Sequence, residues 1–153
     1  MEYIMQDRFE TFTTSIFKIM HYWNRIATDE MKKHGLKGGY ALYFVVISNH
    51  DGELSSADLA KLCGRDKADV SRAVSTLQKK GLLEMFEKGT YRAHLTFTPE
   101  GSKIADNIKS RASIAIDIAG HGLSDEMRNN MYQSLAVIGE NLKMISEDGL
   151  PED

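Results

Sequence analysis

Between residues 66 and 81 the apolar side chains Val70, Ala73, Val74 and Leu77 return at three- and four-residue steps, the period of one buried helix face. Lys67, Ala68, Ser71, Arg72, Ser75 and Lys79 fall on the opposite side. The end signals agree with a helix: Asp66 is a capping residue, Asp69 lies in the first turn, Lys79 and Lys80 in the last, and Gly81 follows. A shorter helix is expected just upstream. Ser55 and Asp58 make a capping-box-like start, Leu59, Leu62 and Cys63 an apolar stripe, and Gly64 a left-handed stop. After Gly81 the period changes to two: Leu83 and Met85 alternate along one run, Leu95 and Phe97 along another, about a Lys88-Gly89-Thr90 turn. Two helices joined by a tight turn and followed by a hairpin spell a winged helix.

The flanking segments are helical as well. Across residues 1–34 Phe9, Phe12, Ile16, Ile19, Trp23 and Ile26 form a heptad-like seam that Phe17, Met20 and Met31 broaden, and Gly35 ends it. Tyr40 to Ser48 is an almost continuous apolar run whose periodicity does not separate a buried strand from a buried helix. Asn49-His50-Asp51-Gly52 is a turn leading to Leu54, where a short strand beside the wing is expected. Thr98-Pro99-Glu100 opens a helix carrying Ile104, Ile108, Ala112, Ala115, Ile116 and Ala119 to a break at Gly120-His121-Gly122. Ser124 opens the last, with Met127, Met131, Leu135, Ile138, Leu142 and Ile145 at helical steps, and residues 149–153 are expected to be a flexible tail. The chain therefore reads as one mainly α domain, 1–153, with a small β-wing: a winged helix-turn-helix over 38–101, flanked by helices over 1–34 and 103–148. The flanking helices carry more apolar surface than so small a domain can cover. Burial against a second copy, worth about 25 cal/mol per Å², predicts a two-fold dimer.

Composition adds two constraints. With 153 residues, 42% of them hydrophobic, a core needs no staples, and the single Cys excludes an internal disulfide framework and fits a reducing cytosol. No secretory leader is expected, and no apolar run approaches the roughly 20 residues of a membrane span. The net charge of −3 conceals a partition. Nine Lys and Arg face six Asp and Glu between Ser55 and Lys103, against ten and sixteen elsewhere. Overall acidity limits non-specific nucleic-acid binding, while the local cationic patch can supply phosphate contacts.

The outer face of the second helix combines small residues with cations, which lets a helix lie deep in a major groove while Arg, Lys and Ser reach bases and phosphates. Ser71, Arg72 and Ser75 are the candidates for base contact, with Ala68 allowing close approach and Lys67, Lys79, Lys88 and Arg92 placed on phosphates. Lys88 and Arg92, at the hairpin tip, could also enter the adjacent minor groove. The plainer reading is that any solvated helix face is polar.

At Leu54-Ser-Ser-Ala-Asp-Leu-Ala60, Asp66-Lys67, Val70-Ser71-Arg72, Leu77-Gln-Lys-Lys-Gly-Leu82 and Leu95-Thr-Phe-Thr-Pro-Glu-Gly101, the sequence resembles the MarR family of bacterial transcription regulators, in order and spacing. One departure is visible: where that family's wing commonly carries Asp-x-Arg, this chain has Thr90-Tyr91-Arg92 on a shortened loop. The resemblance implies a helix at Tyr40–Ser48, interlocking terminal helices and a homodimer on double-stranded DNA. It also implies release by a small aromatic or anionic effector bound between the dimer helices and the winged helix. His21, Trp23, Tyr40 and Tyr43, with apolar bodies and polar tips, are the wall candidates for such a ligand; core packing alone is the plainer reading of each.

No Gly-rich phosphate loop, His-x-x-His pair, Cys cluster or nucleophile elbow suggests an enzyme, a metal centre or a cofactor. Glu30 and His34, one helical turn apart, read as a surface ion pair rather than a metal site. Cys63 has cations nearby that would suit a redox sensor, but its place in the apolar stripe suits a small buried hydrophobe. The reading is a cytoplasmic, dimeric, ligand-responsive repressor on a pseudo-palindromic operator. The alternative is a winged helix that docks on protein without specific DNA binding.

Overall fold

The computed structural model describes residues 7–86 and 93–152. In order run α1 (Arg8–Lys32), a 3-10 turn (Gly38–Tyr40), α2 (Ala41–Asn49), α3 (Ser56–Cys63), α4 (Lys67–Lys79), β1 (Leu83–Phe86), β2 (His94–Phe97), α5 (Pro99–Ala119) and α6 (Asp125–Asp148). The chain divides into two compact units, Met1–Ala112 and Ser113–Asp153.

In the first unit the core joins Met31, Phe44, Ile47, Leu59, Val70, Val74, Leu77, Leu82, Leu83, Leu95, Ala105 and Ile108. Phe44 stacks on Phe97 at 5.3 Å between centroids. Each fully buried large side chain in this set stabilises the fold by roughly 1.5–3 kcal/mol, and together they bind the helix-turn-helix to the strands behind it. The apolar run that periodicity left open is helix α2. Tyr43, Phe44 and Ile47 go inward at the three- and four-residue spacing of a helix.

The helix-turn-helix follows its punctuation. The Ser55 hydroxyl accepts from the Asp58 amide at 3.1 Å, and the Asp58 carboxylate accepts from the Ser55 amide at 3.0 Å, completing a capping box. Gly64 ends α3 at φ 61°, a left-handed conformation that a side chain would strain. Asp66 caps α4 by accepting from Ala68 N at 2.9 Å. The expected inward stripe on α3 is corrected at one position. Leu62 is 56% exposed and Ala60 is buried instead. In so short a helix the core touches Leu59, Ala60 and Cys63, one turn of a single face, and that rotation leaves Leu62 in water.

β1 and β2 pair antiparallel, Leu83 opposite Phe97 and Met85 opposite Leu95. Of the expected alternation, Leu83 and Leu95 are buried and Met85 is 40% exposed. The strand expected at Leu54 is reduced to two backbone bonds: Leu95 N donates to Leu54 O at 2.8 Å and Gly52 N to Leu95 O at 3.1 Å. The hairpin tip, with Lys88 and Arg92, lies outside the described residues.

α5 starts where expected: the Thr98 hydroxyl accepts from Gly101 N at 3.1 Å and donates to Gly81 O at 2.6 Å. Gly101 lies against the backbone of Leu82, and a Cβ there would sit 2.0 Å from Leu82 O. The Glu30–His34 pair is corrected. Glu30 accepts from Lys33 and, across the fold, from Arg111 Nη2 at 3.0 Å, while His34 Nε2 lies 3.0 Å from Asn107 Oδ1. Both contacts fasten the end of α1 to α5.

In the second unit Ser124 caps α6 by accepting from Met127 N at 3.2 Å, and Arg128 Nη2 donates to Gly120 O at 3.2 Å, satisfying a carbonyl past the end of α5. None of its described residues is buried; Ile118, Val137 and Met144 are 70%, 61% and 58% exposed. On α1, Phe9, Phe17 and Ile19 are 83%, 70% and 62% exposed. Among the described residues no helix is long and apolar enough to cross a membrane.

Candidate nucleic-acid interface

α4 is anchored from below by Val70, Ala73, Val74 and Leu77, each at most 3% exposed. That anchoring fixes what lies on top. Lys67, Ala68, Ser71, Arg72 and Lys79 are exposed on the outer face, and Ser75 is half-buried at its edge. The face is shallow near its N-terminal end, since Ala68 and Ser71 are short; Lys67 and Arg72 stand there beside Asp69, and Lys79 stands at the far end.

One neighbour on this face was read in the sequence only as a first-turn charge. Asp69 accepts a hydrogen bond from Arg72 Nη2, one turn along α4, and both side chains are largely exposed. The pair holds the guanidinium along the helix. An exposed pair of this kind is worth only about 0.3–0.5 kcal/mol, so Arg72 can leave it for a better partner at little cost. The Thr76 hydroxyl donates to Arg72 O at 3.0 Å, so it is turned back onto the helix rather than offered outward.

The four wall candidates lie on two stretches of the chain, His21 and Trp23 on α1 and Tyr40 and Tyr43 at the end of the 3-10 turn and the start of α2. Tyr40 and Tyr43 come together, with rings 6.1 Å apart and tilted by 33°. His21 is exposed and meets Tyr22 edge-on at 5.0 Å, while Trp23 is half-buried two residues further along α1. Tyr43 has a partner that sequence reasoning missed. Arg65, in the turn between α3 and α4, places its guanidinium carbon 5.0 Å over the Tyr43 ring. Its Nη1 donates to Gly39 O at 2.8 Å and to the Tyr43 hydroxyl at 3.3 Å. No sequence signal links residues 26 and 22 positions apart through an exposed arginine.

Cys63 packs against the core, and partial burial pushes its thiol pKa up, with the Arg65 charge pulling the other way. The balance favours the thiol over the reactive thiolate. Glu30 is held below the ordinary carboxylate range, chiefly by the Arg111 hydrogen bond and then by Lys33. Among the described residues no three metal-ligating side chains gather.

Core, capped helix pair and paired strands define a winged helix-turn-helix. The MarR family model matches residues 34–85, the stretch from the end of α1 through the first half of the hairpin. The match covers the helix-turn-helix and its first strand, and the chain as a whole has the fold of the solved MarR structures. A MarR family transcriptional regulator from Listeria monocytogenes, solved with a 26mer DNA, superposes with a TM-score of 0.81 at 21% identity, over 92% of this chain and 97% of that one. The S. aureus MepR–DNA complex gives 0.74 at 21% identity, over 85% and 95%. A MarR transcriptional regulator from Methanosarcina mazei Go1 gives 0.75 at 21%, over 89% and 99%. No curated protein matches the sequence.

Proposed function

We propose that the chain is a sequence-specific, double-stranded DNA-binding transcription regulator of MarR type, acting in the cytoplasm as a homodimer that represses by occluding a promoter. The observation that carries this reading is the outer face of α4. It is small and cationic, it stands on a fully buried anchor, and the neighbours with the same fold include two solved on DNA. Ser71, Arg72 and Ser75 read base edges, Ala68 permits close approach, and Lys67 and Lys79 hold phosphates, joined by Lys88 and Arg92 from the wing. The apolar faces of α1, of the end of α5 and of α6 are covered by a second copy, the residues 1–34 and 103–148 serving as dimerisation helices. Two copies of α4 then meet successive major grooves about 34–36 Å apart, which makes the operator a pseudo-palindrome. An aromatic or anionic effector that contacts Tyr40 and Tyr43, with His21 and Trp23 further along the wall, releases DNA by favouring another spacing of the two α4 helices.

The test is binding to DNA from the protein's own upstream region, against random duplex, at two salt concentrations. Specific binding by two protomers per site, with affinity falling steeply as salt rises, is the expected result. A chain that shows no preference and little salt dependence is the protein-docking winged helix instead.

A further inference from the structure

The turn between α3 and α4 is held from outside by a side chain that belongs to neither helix face. Arg65 directly precedes Asp66, the residue that caps α4, and its guanidinium spans to the 3-10 turn and the start of α2. Three contacts converge on it: the Gly39 carbonyl at 2.8 Å, the Tyr43 hydroxyl at 3.3 Å and the face of the Tyr43 ring at 5.0 Å. Tyr43 is itself 3% exposed, so the arginine is fixed to the core rather than to another mobile surface group. Gly39 leaves room for the approach, since a Cβ there would lie 3.3 Å from Nη1.

We infer that Arg65 is a positioning residue for the DNA-reading helix: by clasping Gly39 and Tyr43 it sets where the N-terminal turn of α4, with Lys67, Ala68 and Ser71, stands relative to the core. The inference rests on the DNA-binding reading for its consequence, though the clasp can be judged without DNA. A guanidinium is suited to the task because its planar fork can donate to a carbonyl while its face lies on an aromatic ring, which an ammonium cannot do. Base readout depends on placement to a fraction of an ångström, so loosening this turn costs discrimination before it costs folding. Tyr43 is also a wall candidate for an effector, so a ligand that displaced its ring would act on α4 through the same guanidinium.

Arg65 is cationic and close to the proposed interface, so the experiment has to separate positioning from a phosphate contact. Three variants serve: Arg65→Met, Arg65→Lys and Gly39→Ala, the last crowding the guanidinium without changing charge. The readout is the ratio of affinities for operator and for random duplex, which cancels any loss of folded protein, together with the slope of log affinity against log salt. A partly solvated charged clasp predicts a ratio lowered about fivefold in Arg65→Met. The ratio falls less in Gly39→Ala and in Arg65→Lys, and the salt slope is unchanged in all three. Equal losses on both duplexes with a slope shallower by about 0.9 would make Arg65 a phosphate contact and overturn the inference. In the free protein, amide exchange at Ala68 and Val70, whose amides donate to Asp66, should quicken about fivefold in Arg65→Met. Unchanged exchange also overturns it, and it does so even if the parent protein shows no operator preference, which would instead defeat the DNA-binding reading.

Discussion

Replacing Gly101 with Ala tests the packing that holds the winged helix to α5. The added methyl would lie 2.0 Å from Leu82 O, 2.9 Å from Leu82 C and 3.0 Å from Phe97 Cδ1, whereas ordinary contact begins at 3.4 Å. Relief needs about 1.4 Å of separation at the oxygen, the difference between the first and last of those distances. The atom in the way is backbone, so it cannot rotate aside. Leu82 O also accepts from Thr98 N at 3.1 Å, and moving it breaks the bond that sets the start of α5. Overpacking costs about 1–3 kcal/mol, and a buried carbonyl left without its donor about 1–3 more. The expected loss is therefore about 2–6 kcal/mol, centred near 4, against a typical total of about 5–15. Urea unfolding at fixed protomer concentration, followed by circular dichroism, should show a midpoint lower by about 2 M for a slope near 2 kcal/mol/M. Ser102→Ala, one residue along on the exposed side of the same helix, should stay within about 0.5 kcal/mol of the parent. If Gly101→Ala were equally silent, α5 would not be seated on Leu82 as described.

Three further outcomes follow from named contacts. Arg72→Ala should reduce discrimination at one base position by about 1–3 kcal/mol in a binding scan over operator variants, while a uniform loss across sequences would make it a backbone contact. Glu30→Gln should lower the melting temperature at neutral pH. Because the Glu30 pKa is depressed in the fold, the ionised carboxylate's contribution is present above the unfolded value and is lost as pH falls through the lower, folded one. The gap between variant and parent should therefore close in acid, and a gap independent of pH contradicts the assignment. Peroxide at concentrations that oxidise exposed thiols should leave DNA affinity unchanged, because burial keeps Cys63 protonated; a loss that Cys63→Ser abolishes would reinstate a redox role.

How much of this was legible in the sequence depended on the range of the interaction that decided it. Ser55, Asp58, Gly64 and Asp66 act on backbone within three residues of themselves, so the helix-turn-helix could be delimited from spacing and end signals alone. Val70, Ala73, Val74 and Leu77 were equally plain, because a buried face on a thirteen-residue helix has time to show its period. α2 was not plain: it is apolar on every side, so its period carries no direction, and only its surroundings make it helical. Leu62 was misplaced because eight residues of helix allow the buried stripe to rotate by one position without breaking the pattern. Contacts between distant segments were out of reach. Nothing near Glu30 announces Arg111, 81 positions away, nothing near Arg65 announces Gly39, and the local Glu30–His34 spacing suggested a pair that the fold does not use.

The central claim is that the outer face of α4 reads bases in the major groove, and methylation interference on the upstream DNA tests it most directly. Methyl groups at guanine N7 block the major groove, and those at adenine N3 block the minor. The account predicts two clusters of guanine N7 interference one helical turn apart, about 34–36 Å between centres, with Arg72→Ala losing one guanine from each cluster. Binding that tolerates every N7 methyl group and fails only at adenine N3 would contradict it, leaving α4 out of the groove in which it is proposed to lie.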